Sequence, residues 1–321
     1  MKGMKAAPFE YARPATLAEA CDLLAAHGPD AKLIAGGQSL VPMMAMRLAR
    51  PAWLIDISRL AELQGIAALA DAPGSKDGVL ALGDGVLAVG AGVRQCALEC
   101  DALALAVVPL LARALRWVGH VQTRNRGTIG GSIVHVDASA EIPLVACVLD
   151  AVLELRETSG ATEIPAREFF LAPMITSIAP EQCLAEIRFP VWRDAGADAL
   201  RGCAFEEVSV RHGDFALVSA CAQLVLDAGG RCLRAALGIG GAAPVPLAFP
   251  EIGAQLVGTQ LDDRAIGAAA AAAADMIDPE GDLHATADYR RHLARVLAEK
   301  VLRAAEADAM RGRGERTKER A

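Results

Sequence analysis

Apolar residues recur along this chain in two periods, alternating in some stretches and every third or fourth position in others, and the switches between them mark out its elements. Phe9-Glu10-Tyr11 reads as a short strand ended at Pro14. Thr16-Leu17-Ala18-Glu19 is a capping box opening an amphipathic helix that Gly28 and Pro29 close. Residues 32–35 form a brief apolar strand, residues 40–48 a helix with Pro42 in its first turn, and residues 53–57 another strand. Residues 79–83 and 86–90 flank Asp84-Gly85, a hairpin signal. Residues 101–117 predict a long helix, residues 140–149 a second and residues 151–156 a strand, with Phe169-Phe170 packed beneath the loops. After a boundary near residues 175–182, strands are predicted at 184–189 and 204–210. A hairpin follows, 220–226 with 232–238, around Gly229-Gly230. Helices then take over, from Asp262 through Ala274 and over residues 285–307. Strands followed by helices indicate a small α+β domain.

At 321 residues and 53% hydrophobic content, each of two domains can bury its own core. No apolar run reaches the roughly 18 residues of a membrane span, and Lys2 and Lys5 lead straight to Pro8-Phe9-Glu10 without a secretory signal. A net charge of −7 argues against nucleic acid as a partner. The eight cysteines include no Cys-x-x-Cys pair, so neither zinc nor an iron–sulfur cluster is signalled, and reduced thiols in a cytoplasmic protein are expected. The tail from residue 309, rich in Arg, Gly and Lys, is expected to be disordered.

The candidate chemistry lies in two glycine segments. Arg124-Asn125-Arg126-Gly127-Thr128-Ile129-Gly130-Gly131-Ser132 runs on through His135 and Asp137 to Glu141. Glycine lets bare N–H groups approach a pyrophosphate, Thr128 and Ser132 add donors, and a carboxylate farther on can accept from ribose hydroxyls. A lone Gly-Gly pair is more economically a tight turn, but Leu33-Ile34-Ala35-Gly36-Gly37-Gln38-Ser39-Leu40 repeats the pattern upstream. Two such segments suggest one ligand held from two sides. Gly83, Gly85 and Ala88 match G-x-G-x-x-A but open a strand rather than a helix, so they are set aside.

Both segments resemble the FAD-binding medium subunit of the molybdenum hydroxylases, the family of xanthine dehydrogenase and carbon monoxide dehydrogenase. Phe205-Glu206-Glu207-Val208 with Arg211 and Gly213-Asp214-Phe215-Ala216 is similar to a signature of that family's second domain, and Tyr289-Arg290-Arg291 to its last helix. The resemblance implies an α+β fold: a two-part FAD-binding domain of the PCMH type over residues 1–178, then an α+β domain over 179–308. It assigns Leu33 to Leu40 and Thr128 to Ser132 to the FAD pyrophosphate and ribityl chain, Glu141 to a ribose, Leu184 to the flavin edge, and Trp117 or Val118 to ring packing. It implies electron transfer from [2Fe-2S] clusters of a small subunit, through FAD, to an external acceptor. A large subunit would carry the molybdopterin cofactor, and the whole would be a dimer of heterotrimers. This chain then holds no catalytic residue and no metal of its own. A self-sufficient FAD oxidase is the alternative.

Other residues carry weaker signals. His135 and Asp137 could form an acid–base pair; Arg124 and Arg126 could meet phosphates or solvent. Met43, Met44 and Met46 read as core filling. This chain has Asp137-Ala138 where many relatives carry Asp-Pro, and Glu206 where some animal relatives carry Lys.

Overall fold

A computed structural model describes residues 5–69, 85–192 and 199–319, with side chains described up to residue 311. The amino-terminal part is a parallel three-stranded sheet. Strands β1 (Glu10–Ala12) and β2 (Ala31–Ile34) flank β3 (Trp53–Asp56). Helix α1 (Leu17–His27) starts where Thr16 Oγ1 accepts the Glu19 N–H at 3.2 Å, and it stops at Gly28, whose φ is 50°. Glu19 reaches back one residue farther than the expected box, accepting the Ala15 N–H at 2.7 Å. Helix α2 (Leu40–Ala45) is shorter than the sequence predicts, and of Met43, Met44 and Met46 only Met44 is buried.

A five-stranded antiparallel sheet follows, in the order β4 (Ile66–Leu69), β5 (Val86–Gly90), β10 (Cys183–Pro190), β6 (Val152–Glu157), β7 (Gly160–Pro165). The hairpin limb expected at residues 79–83 lies outside the described residues; within them β5 is flanked by β4 and β10. The strand expected to open the second domain, β10, is thus the middle strand of this sheet. Five helices share its core, α3 (Gln95–Glu99), α4 (Ala102–Val107), α5 (Pro109–Leu115), α7 (Ile129–His135) and α8 (Glu141–Val148), and a sixth, α6 (Val121–Arg126), lies against α3 with no buried residue of its own. The single helix predicted over 101–117 is broken at Val108, with φ −134° and ψ 62°, because Pro109 excludes helical geometry from the residue before it. A small helix, α9 (Ala166–Phe169), and a two-stranded ribbon, β8 (Phe170–Ala172) with β9 (Ile175–Thr176), close the layer. Phe169 and Phe170 stack edge to face in the same core.

The second domain is a four-stranded antiparallel sheet, β11 (Leu200–Ser209), β12 (Ala216–Leu226), β13 (Cys232–Gly240) and β14 (Leu247–Ala248). The turn between β12 and β13 is set by Asp227, whose carboxylate accepts from Gly229 and Arg231 N–H at 2.8 and 2.9 Å, with Gly230 at φ 86°. Strand periodicity divides its side chains between two cores. Ala204, Val218, Ala220 and Leu224 pack under α10 (Pro250–Leu256), α11 (Asp263–Asp275) and α12 (Ala287–Glu319), whereas Cys203, Phe205, Cys221 and Val225 join the core of the first domain. Buried Arg290 of α12 binds the sheet by donating to the Leu217 and Gly241 carbonyls and pairing with Asp282 at 2.6 Å. The tail expected to be disordered from residue 309 instead continues α12 as far as Glu319. Among the described residues no helix is long and apolar enough to cross a membrane.

Candidate functional site

The two glycine segments meet. A Cβ at Gly36 would overlap the Arg126 carbonyl oxygen and stand 2.9 Å from the Gly127 Cα, so the backbones cross where only glycine fits. Gly37, at φ 68°, turns the chain from β2 into α2. At the segments lies a cleft of about 430 Å³, lined by Ile34, Ala35, Gly36, Gly37 and Gln38, by Asp56 and Ser58 at the end of the neighbouring strand, and by Arg94 and Arg126. The backbone N–H groups of Gly36, Gly37, Gln38 and Ser39 donate to no acceptor in the described protein. Arg94 donates to the Arg126 carbonyl, which brings both arginines to one rim. Open N–H groups and two arginines lining one cleft suit a diphosphate, so this cleft fits a dinucleotide.

Asp56 and Ser58 escape a search for glycine signatures. The signal was the Asp-x-Ser spacing at the end of β3: Asp56 Oδ1 accepts the Ser58 N–H at 2.9 Å and Oδ2 accepts the Tyr11 hydroxyl at 2.6 Å. Burial acts to raise the Asp56 carboxyl, but these hydrogen bonds outweigh it and hold the group below its ordinary value.

The second segment differs from its expected form. It is no loop: α6 ends at Gly127, and α7 begins at once with Thr128 as its cap. The N–H groups of the first turn are all occupied. Ile129 donates to Val93 at 3.0 Å, Gly130 to Ala91 at 2.9 Å, Gly131 to Thr128 Oγ1 at 3.0 Å and Ser132 to the Thr128 carbonyl at 3.2 Å. A Cβ at Gly130 would overlap the Ala91 side chain and lie 2.8 Å from its Cα. Gly130 is therefore glycine because the helix sits on the chain leaving β5. Gly131 is exposed, and a Cβ there would meet only Thr128 within 4 Å.

The remaining candidates separate. Arg124 is locked to Glu99 at 2.7 Å and to the carbonyls of Val118 and Gly119, and so holds the turn before α6. Val118 and Leu184 are buried in the main core. His135 and Asp137 make no hydrogen bond to each other; Asp137 accepts the Ser139 N–H at 2.9 Å. Glu206 pairs with Lys300 of α12 at 3.0 Å, on the sheet face turned away from the first domain. Trp117 packs edge-on to His212 and tilted against Phe205, sealing the two domains together. Glu141 opens α8. Burial pushes its carboxyl up to about 7 against its own backbone N–H, with the charge of Asp137 adding to the rise.

Two family models match the chain: the FAD binding domain in molybdopterin dehydrogenase over residues 7–192, and the CO dehydrogenase flavoprotein C-terminal domain over residues 203–305. The 6-hydroxypseudooxynicotine dehydrogenase complex subunit alpha of Paenarthrobacter nicotinovorans is 35% identical, over 93% of this chain and 95% of that one. The fold is similar to that of a chain of the carbon monoxide dehydrogenase of Hydrogenophaga pseudoflava, with a TM-score of 0.84 and 34% identity over 95% of this chain and 99% of that one. A chain of quinoline 2-oxidoreductase from Pseudomonas putida 86 is similar to the same degree, with a TM-score of 0.84 and 33% identity over the same shares.

Proposed function

This chain belongs to the FAD-binding subunits of the molybdenum hydroxylase family, and from that premise we propose that it is the medium subunit of such a complex. In this reading it takes electrons from [2Fe-2S] clusters of a small subunit and passes them to an external acceptor, while a large subunit hydroxylates the substrate at a molybdopterin cofactor. FAD supplies the ability to store two electrons and release them singly or together. The chain's own part is to bind and orient. The N–H groups of Gly36 to Ser39 and the guanidinium groups of Arg94 and Arg126 would hold the diphosphate, Ser132 the ribityl chain and Glu141 a ribose, and Val118 and Leu184 would pack behind the ring. The assembly in this reading is a heterotrimer, doubled by a two-fold axis and working in the cytoplasm, as the family resemblance implies.

The observation that carries the reading is the cleft where Gly36 crosses Gly127, lined by unpaired N–H groups and by two arginines. The isolated chain should bind FAD, be reduced by dithionite, and show no turnover with N-heterocycles, aldehydes or CO. Stopped-flow mixing with those substrates is the test. Rapid flavin bleaching with no partner present would replace this reading with the self-sufficient oxidase.

A further inference from the structure

Strand β12 is apolar apart from Ser219 and Gln223. Gln223 stands between Cys221 and Val225 in the strand's alternation, and both of those belong to the core of the first domain, so Gln223 is turned to the same side. It is 7% exposed, and its Oε1 accepts no hydrogen bond. Trp192, just beyond the end of β10, is 4% exposed, and its Nε1–H has no acceptor. The Arg234 guanidinium lies 3.8 Å from the centre of the indole and holds the ring in place. A buried donor and a buried acceptor, both unused, are costly to keep and call for a partner.

Both side chains line one crevice of about 200 Å³. Its walls come from both domains. The first supplies Val107 and Pro109, where α4 meets α5, and the second supplies Leu200 of β11 and Ala309 of α12. Exposed Ala106 and Arg201 stand at the mouth, and Trp192 and Gln223 at the buried end. The crevice shares no lining residue with the cleft at Gly36.

The chemistry of the walls narrows the occupant. The two charged residues among them are already engaged. Asp308 Oδ2 accepts from Arg113 at 2.7 Å and from the Cys203 N–H at 3.1 Å, its Oδ1 accepts from Arg311 at 2.9 Å, and Arg201 donates to the Trp192 carbonyl at 3.1 Å. The occupant therefore needs no charge. The side chains of Val107, Pro109, Leu200 and Ala309 offer water no hydrogen bond and suit an apolar ring. A cavity of about 150 Å³ admits benzene, so this one has room for a six-membered ring with a polar substituent. We propose that the crevice is a binding site for an uncharged single-ring molecule carrying both a hydrogen-bond acceptor, met by Trp192 Nε1, and a donor, met by Gln223 Oε1: a phenol or a cyclic amide. The site is independent of the flavin reading. It sets a second ligand across the seam of the domains, where occupancy ties α4 and α5 to the second sheet and to α12.

The test follows the indole N–H signals of the isotope-labelled full chain by NMR during titration with phenol or 2-pyridone, with calorimetry and thermal melting alongside. The chain has three tryptophans, and the signal missing from Trp192→Phe identifies Trp192. That signal should move downfield and saturate while the other two stay, and the melting temperature should rise with probe concentration. Gln223→Met, similar in length but without the amide, should weaken binding at least tenfold and leave the melting temperature of the unliganded chain unchanged or higher, because it removes a buried amide oxygen that has no partner. Trp192→Phe keeps a ring beside Arg234, should weaken binding severalfold, and serves if Gln223→Met does not fold. Tighter binding of phenol would assign both hydrogen bonds to one hydroxyl, and tighter binding of 2-pyridone would assign them to a separate carbonyl and N–H. Benzene and benzoate should both bind more weakly than either probe. A Trp192 signal unmoved at millimolar phenol and 2-pyridone would overturn the site, as would benzene or benzoate binding as tightly as they do, or wild-type affinity in either folded variant.

Discussion

At Gly36 the backbone leaves four successive N–H groups without an acceptor, and at Gly130 the same pair of residue types leaves none. Both segments contain Gly-Gly followed by a polar donor, and both lead into a helix. The difference lies in what each helix start touches. The first stands at the end of a parallel strand, where Gly36 presses on the Arg126 carbonyl but the N–H groups of residues 36–39 are not aimed at an acceptor. The second is laid across the chain leaving β5, whose carbonyls at Ala91 and Val93 take its donors. A glycine pair therefore has two uses: to let a ligand approach backbone, or to let backbone approach backbone.

Gly36→Ala should break this contrast most completely. The added Cβ overlaps a carbonyl oxygen that neither segment can move independently, so a stability loss of about 3 kcal/mol is expected, the upper part of the range for overpacking, together with loss of FAD binding. Urea denaturation and flavin titration measure the two. Retention of both would show that the segments do not cross as described.

The arginines sharpen the contrast. Arg126→Ala should weaken FAD binding by about 1.5–3 kcal/mol, as for a charge-assisted hydrogen bond, with melting unchanged. Arg124→Ala should do the reverse, since it leaves Glu99 half-buried and unpaired. If both variants shift affinity equally, the assignment of one to ligand and the other to scaffold is wrong. Gly130→Ala should cost about 1–2 kcal/mol, the clash with Ala91 being partly offset by the better helix propensity of alanine, and should leave flavin affinity in the folded fraction intact.

A pH scan extends the comparison to two carboxyl groups, Glu141 of the first domain and Glu207 of the second. Glu141 and Glu207 are raised from 4.5 to about 7 and about 8. Folding therefore favours their neutral forms, and their contribution to stability is full below about 4.5 and is lost as pH rises through 7 to 8. The flavin-free chain should lose stability over that interval, and Glu207→Gln should flatten the slope in denaturation curves. Glu206→Ala should have the smallest effect, under about 1 kcal/mol, because its pair with Lys300 is partly exposed; its flavin affinity should match wild type in the same titration.

Local elements were legible in the sequence wherever a local signal set them. The Thr16 cap and the hairpin around Gly229-Gly230 each carry their own physics within a few residues. What was illegible is what depends on a distant neighbour. Nothing near Gly130 reveals that Ala91 will press on it, and nothing near Glu207 reveals that Glu141 will share its surroundings. The break at Val108 is the exception: Pro109 announces it, and the apolar run around it hides the signal. Of the cleft lining, the first glycine segment was readable as a candidate for a phosphate and Arg126 as either a phosphate partner or a solvated charge, whereas Asp56 and Arg94 reach the cleft only through folding.

The sheet order β4-β5-β10-β6-β7 also has a consequence for how the chain is made. The middle strand is the last of the five to leave the ribosome. Until Cys183–Pro190 emerges, the antiparallel pairs β4–β5 and β6–β7 each present a bare edge and have nothing to join them. A nascent chain paused before that strand is a pair of unlinked ribbons, and by the time the strand has been delivered, the ribosome has begun on the domain that will cover the other side of the shared core.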